Sequence, residues 1–364
     1  MIQLQQEMLR KKVTALGEAA VSSQAYRTSL IELLREGVPF AAACCTAIDP
    51  NTLLSTGAAT EEGVEAIHAK LFEYEYLRED YNAYDDLTRK ADTLATLSAA
   101  TGGSLELSGR YRDVLQPAGF KDELRAALVI EGACWGYLTL FRRADQPLFD
   151  EQERSFLSSL IPCIARCLRK TSLALPLEKA DWLEDEPGIL MLTGQLEISS
   201  FNATAEQWLA RLRKAEGIES AVLPRPIRAV CSRALSESAE GKDSPLAKVC
   251  IRMPEGPFLT IRASLLNGSE HGVQLAVWLE PAKPADMLPI ITEAYALSVR
   301  EKQVLEGIMR GYSTKELARS LHITAYTVQD HLKSIFAKTG VSSRRDLIWQ
   351  LLSRFSLEAE SKGV

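Results

Sequence analysis

The chain has 364 residues, of which 46% are hydrophobic and 25% are charged, and its formal net charge is −6. These values are ordinary for a soluble globular protein, and at ~150 residues per domain the length predicts two or three domains. No run of about 18 apolar residues occurs, and the first residues, MIQLQQEMLRKK, lack the apolar region of a signal peptide. We therefore expect a cytoplasmic protein without a membrane segment.

The seven cysteines form neither a CxxC pair nor a zinc-ligand spacing, and the four histidines are scattered singly. An odd number of cysteines without a signal peptide indicates free thiols in a reducing compartment. The patterns GxxxxGK[ST] and GxSxG are both absent, which argues against nucleotide-driven and serine-hydrolase chemistry. We expect no metal, no cofactor and no catalytic residue.

The first third of the chain predicts helices followed by a sheet. Ile2 to Glu36 is strongly helix-forming and predicts one broken helix or two successive helices. Phe40 to Ile48 predicts a buried strand that ends at a turn and pairs with Thr52 to Thr56. Glu61 to Glu79 predicts a helix.

Five aromatic residues follow within or just after this helix. They are Phe72, Tyr74, Tyr76, Tyr81 and Tyr84. Such clusters are more often core or interface than ligand cage, but we retain all five as candidate ligand-binding residues.

A second group of elements completes this region. Ser98 to Arg112 predicts a loop with a short helix, and Arg125 to Ile130 pairs with Cys134 to Arg142 in a hairpin about Glu131-Gly132. Asp150 and Glu153 cap a helix that continues to about Lys170.

With WGYLTLFR (Trp135 to Arg142) and FDxxE (Phe149 to Glu153), this order of elements resembles a GAF domain over roughly Val21 to Lys170. The resemblance implies a sheet with helices on both sides, one face of which often holds a small ligand. It implies a sensor and assigns no catalytic residue.

The next region predicts a second sheet. Gly188 to Asn202 predicts two short strands, a helix follows over Ala203 to Lys214, and three alternating segments predict the remaining strands: Ala247 to Arg252, Phe258 to Leu265 and Val273 to Leu279. This order resembles a PAS domain, without a haem or flavin ligand motif. Proline-bounded segments, Pro176 to Pro187 and Pro281 to Pro289, predict linkers on either side.

The C-terminal stretch carries two capping boxes, in which Ser298 precedes Glu301 and Ser313 precedes Glu316. In such a box, the serine oxygen and the glutamate satisfy free amides at a helix start. A third helix is predicted after the N-cap Thr324, and Ser343 caps a fourth. The third helix has an apolar face (Val328, Leu332, Ile335, Phe336) and a polar face (Tyr326, Gln329, Asp330, Lys333, Ala337).

A short helix, a tight turn and a helix with a polar outer face form a helix-turn-helix, whose second helix lies in the DNA major groove. The segment resembles the effector domain of LuxR/NarL-type transcriptional regulators, through LSxRExxVL (Leu297 to Leu305), GxSxKELA (Gly311 to Ala318), ITxxTVxxHL (Ile323 to Leu332) and KxGVxSR (Lys338 to Arg344). From the resemblance and the polar face of the third helix, we take eleven residues as lying at or behind the DNA surface: Lys315, Thr324, Thr327, Val328, Gln329, Asp330, His331, Lys333, Lys338, Arg344 and Arg345.

Gln329 and Asp330 depart from the family, whose members often place lysine and an apolar residue there. Aspartate repels phosphate, but it accepts a hydrogen bond from cytosine N4, and glutamine pairs with adenine. Leu297 to Arg354 holds ten basic and five acidic residues, a net charge of +5, which leaves −11 for the remainder. This asymmetry indicates an acidic body with a basic DNA-binding end.

The expected fold is therefore multidomain, with α+β GAF-like and PAS-like sensory domains followed by an all-α four-helix domain. The expected boundaries are an N-terminal helix over 1–20, the GAF-like domain over 21–172, a linker over 173–187, the PAS-like domain over 188–281, a linker over 282–292 and the helix-turn-helix domain over 293–357.

We expect a non-enzymatic, one-component transcriptional regulator that binds specific double-stranded DNA as a homodimer, with RNA polymerase as a candidate partner. The acidic cluster of a phosphorylated receiver domain is missing from the sequence, so we expect control by a small apolar or aromatic ligand in the GAF-like domain. One alternative is a thiol-dependent reductase using Cys44, Cys45 and Cys134. Adjacent residues on a strand point to opposite faces, which argues against that alternative. The other alternative is a protein-interaction regulator with vestigial DNA binding.

Overall fold

The computed structural model describes residues 2–20, 22–173, 186–240, 247–254, 258–266 and 272–353. The contacts divide the chain into two compact units, one with the elements up to residue 280 and one with the helices from residue 281 onward. The predicted linker at 173–187 lies almost entirely outside the described residues.

The first unit begins with helices α1 (Ile2–Ala19) and α2 (Ser23–Leu34), which is the second of the two predicted alternatives, one broken helix or two successive helices. The other elements of this first α+β region are β1 (Ala42–Ile48), β2 (Ser55–Thr60), α3 (Glu62–Glu65), α4 (His68–Tyr76), α5 (Tyr84–Arg89), β3 (Leu94–Thr96), α6 (Leu97–Ala100), β4 (Phe120–Ile130), β5 (Ala133–Arg143) and α7 (Glu151–Leu173). The strands form one sheet in the order β2-β1-β5-β4-β3, and all neighbours are antiparallel.

Helices cover both faces of this first sheet. On one face, Cys44 packs in a cluster with Val64, Leu97 and Phe141. On the other face, α2 and α7 contact the sheet, and Cys45 points away from Cys44, as alternation along a strand requires. The layout is the sheet with helices on both sides that the sequence predicts.

Three local predictions in this region need correction. β2 starts three residues later than predicted because residues 49–54 form a tight turn, in which the Leu53 amide donates to the Asp49 carbonyl and Leu53 has φ of 57°. The predicted helix over 61–79 is broken into α3 and α4. The short edge strand β3 is missing from the sequence prediction, since three residues carry too little periodicity.

The second sheet has the order β7-β6-β10-β9-β8. Its elements are β6 (Gly188–Thr193), β7 (Ile198–Phe201), α8 (Ala203–Glu216), α9 (Arg225–Glu240), β8 (Lys248–Arg252), β9 (Phe258–Leu266) and β10 (Gln274–Pro281). All five strands and α8 match the sequence prediction.

Arg225, at the start of α9, joins the second sheet region to the first. Its side chain is buried, pairs with Glu216 at 2.7 Å and with Glu65, and donates from Nε to His68 Nε2 at 3.4 Å. Both regions therefore share a buried polar network within the first unit.

The second unit consists of α10 (Pro284–Ala294), α11 (Val299–Met309), α12 (Thr314–Ser320), α13 (Ala325–Thr339) and α14 (Arg344–Ser353). The presence of α10 corrects the prediction of a proline-stiffened linker at 282–292. Pro284 occupies the first helical position, where its fixed φ favours a helix, and the Asp286 carboxylate accepts from the Lys283 amide at 3.2 Å.

Candidate DNA interface and ligand cavity

Both predicted capping boxes are formed in the second unit. The Ser298 oxygen accepts from the Glu301 amide at 3.3 Å, and the Glu301 carboxylate accepts from the Ser298 amide at 2.6 Å. Ser313 and Glu316 repeat this exchange at 3.3 and 2.7 Å. These boxes fix where α11 and α12 start, and hence the position of the turn that leads into α13.

Helix α13 has one buried and one exposed face. Thr324 caps its start by accepting from the Thr327 amide at 3.1 Å, and Gly340 ends it with φ of 72°. Val328, Leu332 and Ile335 are buried against α11 and α12. The exposed face consists of Tyr326, Gln329, Asp330, Lys333 and Ala337.

The predicted DNA-binding residues fall into three groups by exposure. Lys315, Thr324, Gln329, Asp330, Lys333, Lys338 and Arg345 are exposed, Thr327, His331 and Arg344 are half-buried, and Val328 is buried. Val328 thus supports the helix from behind and does not lie on its outer surface. Asp330 forms an ion pair with Lys333 at 3.7 Å, in which both side chains remain largely exposed.

Lys338 has partners inside the protein. Its Nζ donates to the Glu301 carboxylate at 2.7 Å and to the Ala296 carbonyl at 3.0 Å, and Ser334 donates to the same carboxylate at 2.6 Å. Burial alone would raise the pKa of Glu301, but these hydrogen bonds and those from Ser298 hold it at about 2. Lys338 therefore joins α13 to the start of α11.

Arg344 also has an internal partner, because its Nη2 donates to the Tyr312 carbonyl. Tyr326, by contrast, is 74% exposed at the start of α13 and was not among the predicted site residues. The signal was present in the sequence, since Tyr326 precedes Gln329, Asp330 and Lys333 by three, four and seven residues, a helical spacing.

A half-open cavity of about 60 Å³ lies in the first sheet region, between the Cys44 face of the sheet and α4. Of the five predicted aromatic residues, Phe72, Tyr76 and Tyr84 line it. Tyr74 and Tyr81 do not line it: the Tyr74 hydroxyl donates to Asp113, and Tyr81 packs against the cluster that contains Cys44 without being part of the cavity wall. Tyr74 lies on α4 and Tyr81 follows α4 in the chain. Their spacing in the sequence does not tell which of the aromatic side chains reach the cavity.

The cavity also has a polar wall. Arg110 donates to Glu123 at 2.8 and 3.1 Å, and Arg125 pairs with Glu75. The Arg125 guanidinium lies 3.8 Å above the ring of Tyr84, which stacks on Tyr137 at 3.9 Å.

None of these four charged residues was among the site residues predicted from the sequence. The available signal was the pair Glu123 and Arg125, which stand at alternate positions of FKDELRAALVI next to its apolar end. Such charges are buried on one face and need partners.

The buried cysteines do not favour thiol chemistry. Burial raises the pKa of Cys45 and of Cys134 to about 12, so both thiols stay protonated near neutral pH. A thiolate is the reactive form of cysteine. Cys44 and Cys45 also lie on opposite faces of β1, which separates the pair that a reductase would need.

The described part of the chain contains no group of three His, Cys, Asp or Glu side chains that could hold a metal ion. None of the helices described has the length and hydrophobicity required to cross a bilayer.

Comparison with known proteins places the C-terminal unit in a family. Residues 295–350 match the family model "Bacterial regulatory proteins, luxR family". Response regulator protein TodT of Pseudomonas putida is 34% identical over 111 residues, which cover 29% of this chain and 48% of TodT. HTH-type transcriptional regulator MalT of Yersinia enterocolitica is 35% identical over 63 residues, 17% of this chain and 7% of MalT.

The chain thus spans less than half the length of these curated relatives. Among solved structures, the GAF domain of a phosphoenolpyruvate-protein phosphotransferase from Coxiella burnetii is 16% identical, with a TM-score of 0.32, over 44% of this chain and 91% of that chain. The capped helices, the two-faced α13 and the match over residues 295–350 lead to one conclusion: the C-terminal part of this chain is a luxR-family helix-turn-helix domain.

Proposed function

We propose that this protein is a transcriptional regulator that binds specific double-stranded DNA through the exposed face of α13. The observation that carries the proposal is the division of α13 into a buried apolar face and an exposed face with Tyr326, Gln329, Asp330 and Lys333. A helix with this division, after a capped helix and a tight turn, fits the major groove with its N-terminal residues against base edges.

Charge supports the proposal. Exposed Lys315, Lys333 and Arg345 supply positive charge for phosphate, while Gln329 and Asp330 supply an amide and a carboxylate for base edges. Lys338 and Arg344, which have internal partners, hold the domain together and contribute long-range positive charge.

Control is assigned to the cavity in the first sheet region. A small molecule bound there regulates DNA binding by population shift: it binds the DNA-competent arrangement more tightly than the incompetent one. Each tenfold change in DNA affinity requires ~1.4 kcal/mol of differential ligand binding.

The test starts with selection of bound sequences from a random DNA pool by the full chain. On the selected site, Gln329→Ala should lose about 1–3 kcal/mol of binding and relax preference at one base pair. Lys333→Ala should weaken binding to all sequences and reduce the salt slope by about one unit.

Lys70→Ala serves as the matched control, because it removes an exposed lysine of the first unit and should leave affinity unchanged. Unaltered affinity and specificity in both α13 variants would refute the proposed interface and leave the protein-interaction alternative.

A further inference from the structure

The cavity beside α4 contains buried hydrogen-bond donors for which the described part of the chain supplies no acceptor. Arg125 is 4% exposed, and although its Nη2 pairs with Glu75, its Nε and Nη1 contact no acceptor within the described residues. A buried donor without an acceptor costs free energy, so such groups are usually satisfied by water or by a ligand.

His68 contributes a third donor to the same wall. It is 3% exposed, lines the cavity, and its Nε2 accepts from Arg225 Nε at 3.4 Å. Burial, together with Arg225 and Arg228, lowers the pKa of His68 well below its ordinary value, so the ring is neutral. The hydrogen bond at Nε2 then assigns the proton to Nδ1, which has no partner among the described residues.

The unsatisfied groups of Arg125 and His68 in this wall are therefore donors. The acidic groups, in contrast, are already engaged: Glu75 with Arg125, and Glu123 with Arg110 at 2.8 Å. Two arginines and two glutamates cancel in charge, so an added anion would be left without a counter-ion. An uncharged acceptor adds no buried charge.

The size and shape of the cavity further restrict the kind of molecule that it can bind. A cavity of about 60 Å³ lies well below the ~300–1,000 Å³ of pockets for drug-sized ligands. One water needs a cavity of ~10–15 Å³, so this cavity has room for a small molecule and not only for a single water. The rings of Phe72, Tyr76, Tyr84 and Tyr137 make much of the wall flat and apolar, and the hydroxyl-bearing residues Thr46, Ser55 and Thr139 also line it.

We propose that this cavity binds a compact, uncharged molecule with a carbonyl-type acceptor, held by the free donors of Arg125 and His68. This inference rests on the proposed function, because it names the chemical class of the controlling ligand. It narrows the expected apolar or aromatic ligand to one that must carry a hydrogen-bond acceptor.

The test measures the binding of four small molecules of similar size to the full chain by ligand-observed NMR. The four probes are cyclopentanone, methylenecyclopentane, cyclopentylammonium and cyclopropanecarboxylate. Cyclopentanone should bind at least tenfold more tightly than the other three, since it alone is an uncharged acceptor. Equal binding of methylenecyclopentane would overturn the proposal, and tightest binding of the carboxylate would identify an anion site instead.

Variants locate the interaction. The pair Glu75→Gln with Arg125→Gln removes the guanidinium while keeping the wall neutral, and it should reduce cyclopentanone binding at least tenfold. Lys70→Ala is the control: Lys70 lies on α4, is exposed and does not line the cavity, so this variant should retain binding. Undiminished binding by the double variant would contradict the role of Arg125, and circular dichroism checks its fold. If the double variant fails to fold, the four probes on the unmodified chain decide.

A DNA-binding assay separates this inference from the proposed function. Preferential cyclopentanone binding with unchanged DNA affinity would support the ligand class and refute regulation through the cavity. DNA binding that depends on Gln329 and Lys333, without any preference for cyclopentanone, would support the DNA-binding function and refute the ligand class.

Discussion

Lys333 and Lys338 lie on the same helix, five residues apart, and have different surroundings. Lys333 has an exposed side chain whose acidic neighbour, Asp330, is 3.7 Å away. Lys338 is tied to Glu301 and to the Ala296 carbonyl. Lys338 is the lysine of the family motif KxGVxSR. Its hydrogen bonds show that it fixes α13 against the start of α11.

The Glu301 network predicts a pH dependence of stability. Because the folded pKa of Glu301 is lowered from 4.5 to about 2, its contribution is fully present above about pH 4.5 and is lost as pH falls towards 2. Hydrogen exchange of α11 and α13 amides should show protection that falls over this pH range.

Glu301→Gln should lower that protection at pH 7 and flatten its dependence between pH 4.5 and 2. Glu306→Gln is the matched control, since Glu306 lies on the same helix and is exposed. An unchanged pH profile in Glu301→Gln would contradict the assigned role.

Asp330 leads to a prediction about DNA affinity. Its carboxylate pairs with Lys333 and repels phosphate, so Asp330→Asn should raise affinity for non-cognate DNA, by roughly 1 kcal/mol for one such contact. If the carboxylate accepts from cytosine, the same variant should weaken discrimination at one base pair. Binding isotherms on selected and scrambled sites measure both effects, and no change on either would show that Asp330 is remote from DNA.

At the level of elements, α9 packs on α4 and β2 of the first sheet region, and the buried Arg225 at its start adds a polar connection. The Glu216 carboxylate, 6% exposed, depends on Arg225 for a counter-charge, and burial raises the pKa of Glu216 despite that partner. Arg225→Ala would leave a buried carboxylate unpaired, which costs about 3–5 kcal/mol. Thermal unfolding of the full chain should therefore begin several degrees lower.

The charge-neutral pair Arg225→Met with Glu216→Gln removes both members and should cost less than Arg225→Ala alone. Arg211→Ala, on α8, is the control for loss of a positive charge in the same region. If Arg225→Ala and the double variant melt together, the buried pair is not what stabilises this junction.

The sequence predicted correctly those features that depend on residues close together in the chain. The capping boxes, the faces of α13 and the hairpin at Glu131-Gly132 depend on neighbours within a few residues, so spacing and residue type were sufficient. The cavity wall was not predictable in the same way. Arg125 meets Glu75 from fifty residues away, and only the packing of α4 on the sheet brings them together.

Proline content also misled the prediction of secondary structure. Pro281 to Pro289 predicts a stiff linker by composition, but Pro284 falls at the first position of α10, where proline favours the helix it would otherwise interrupt. A proline alone does not show whether it belongs to a linker or begins a helix, because that depends on whether the residues after it form a helix.

At the level of the whole molecule, one helix-turn-helix contacts few base pairs, so specific binding predicts a dimer on paired half-sites. Half-sites recognised by a symmetric dimer lie about one DNA turn, ~34 Å, apart or a multiple of it. The selected DNA should therefore contain an inverted repeat with that spacing, and analytical ultracentrifugation should find two chains per site.

Two surfaces are candidates for the dimer contact. Trp349 on α14 is 70% exposed, and Met8 on α1 is 55% exposed. Covering such a large apolar side chain by a second chain removes apolar surface from water, which favours a contact there. Trp349→Ser should weaken cooperative binding to the paired site, while leaving binding to a single half-site unchanged, if α14 forms the contact. The same result with Met8→Ser would instead assign the contact to α1, and a monomer on a footprinted site would refute the dimer.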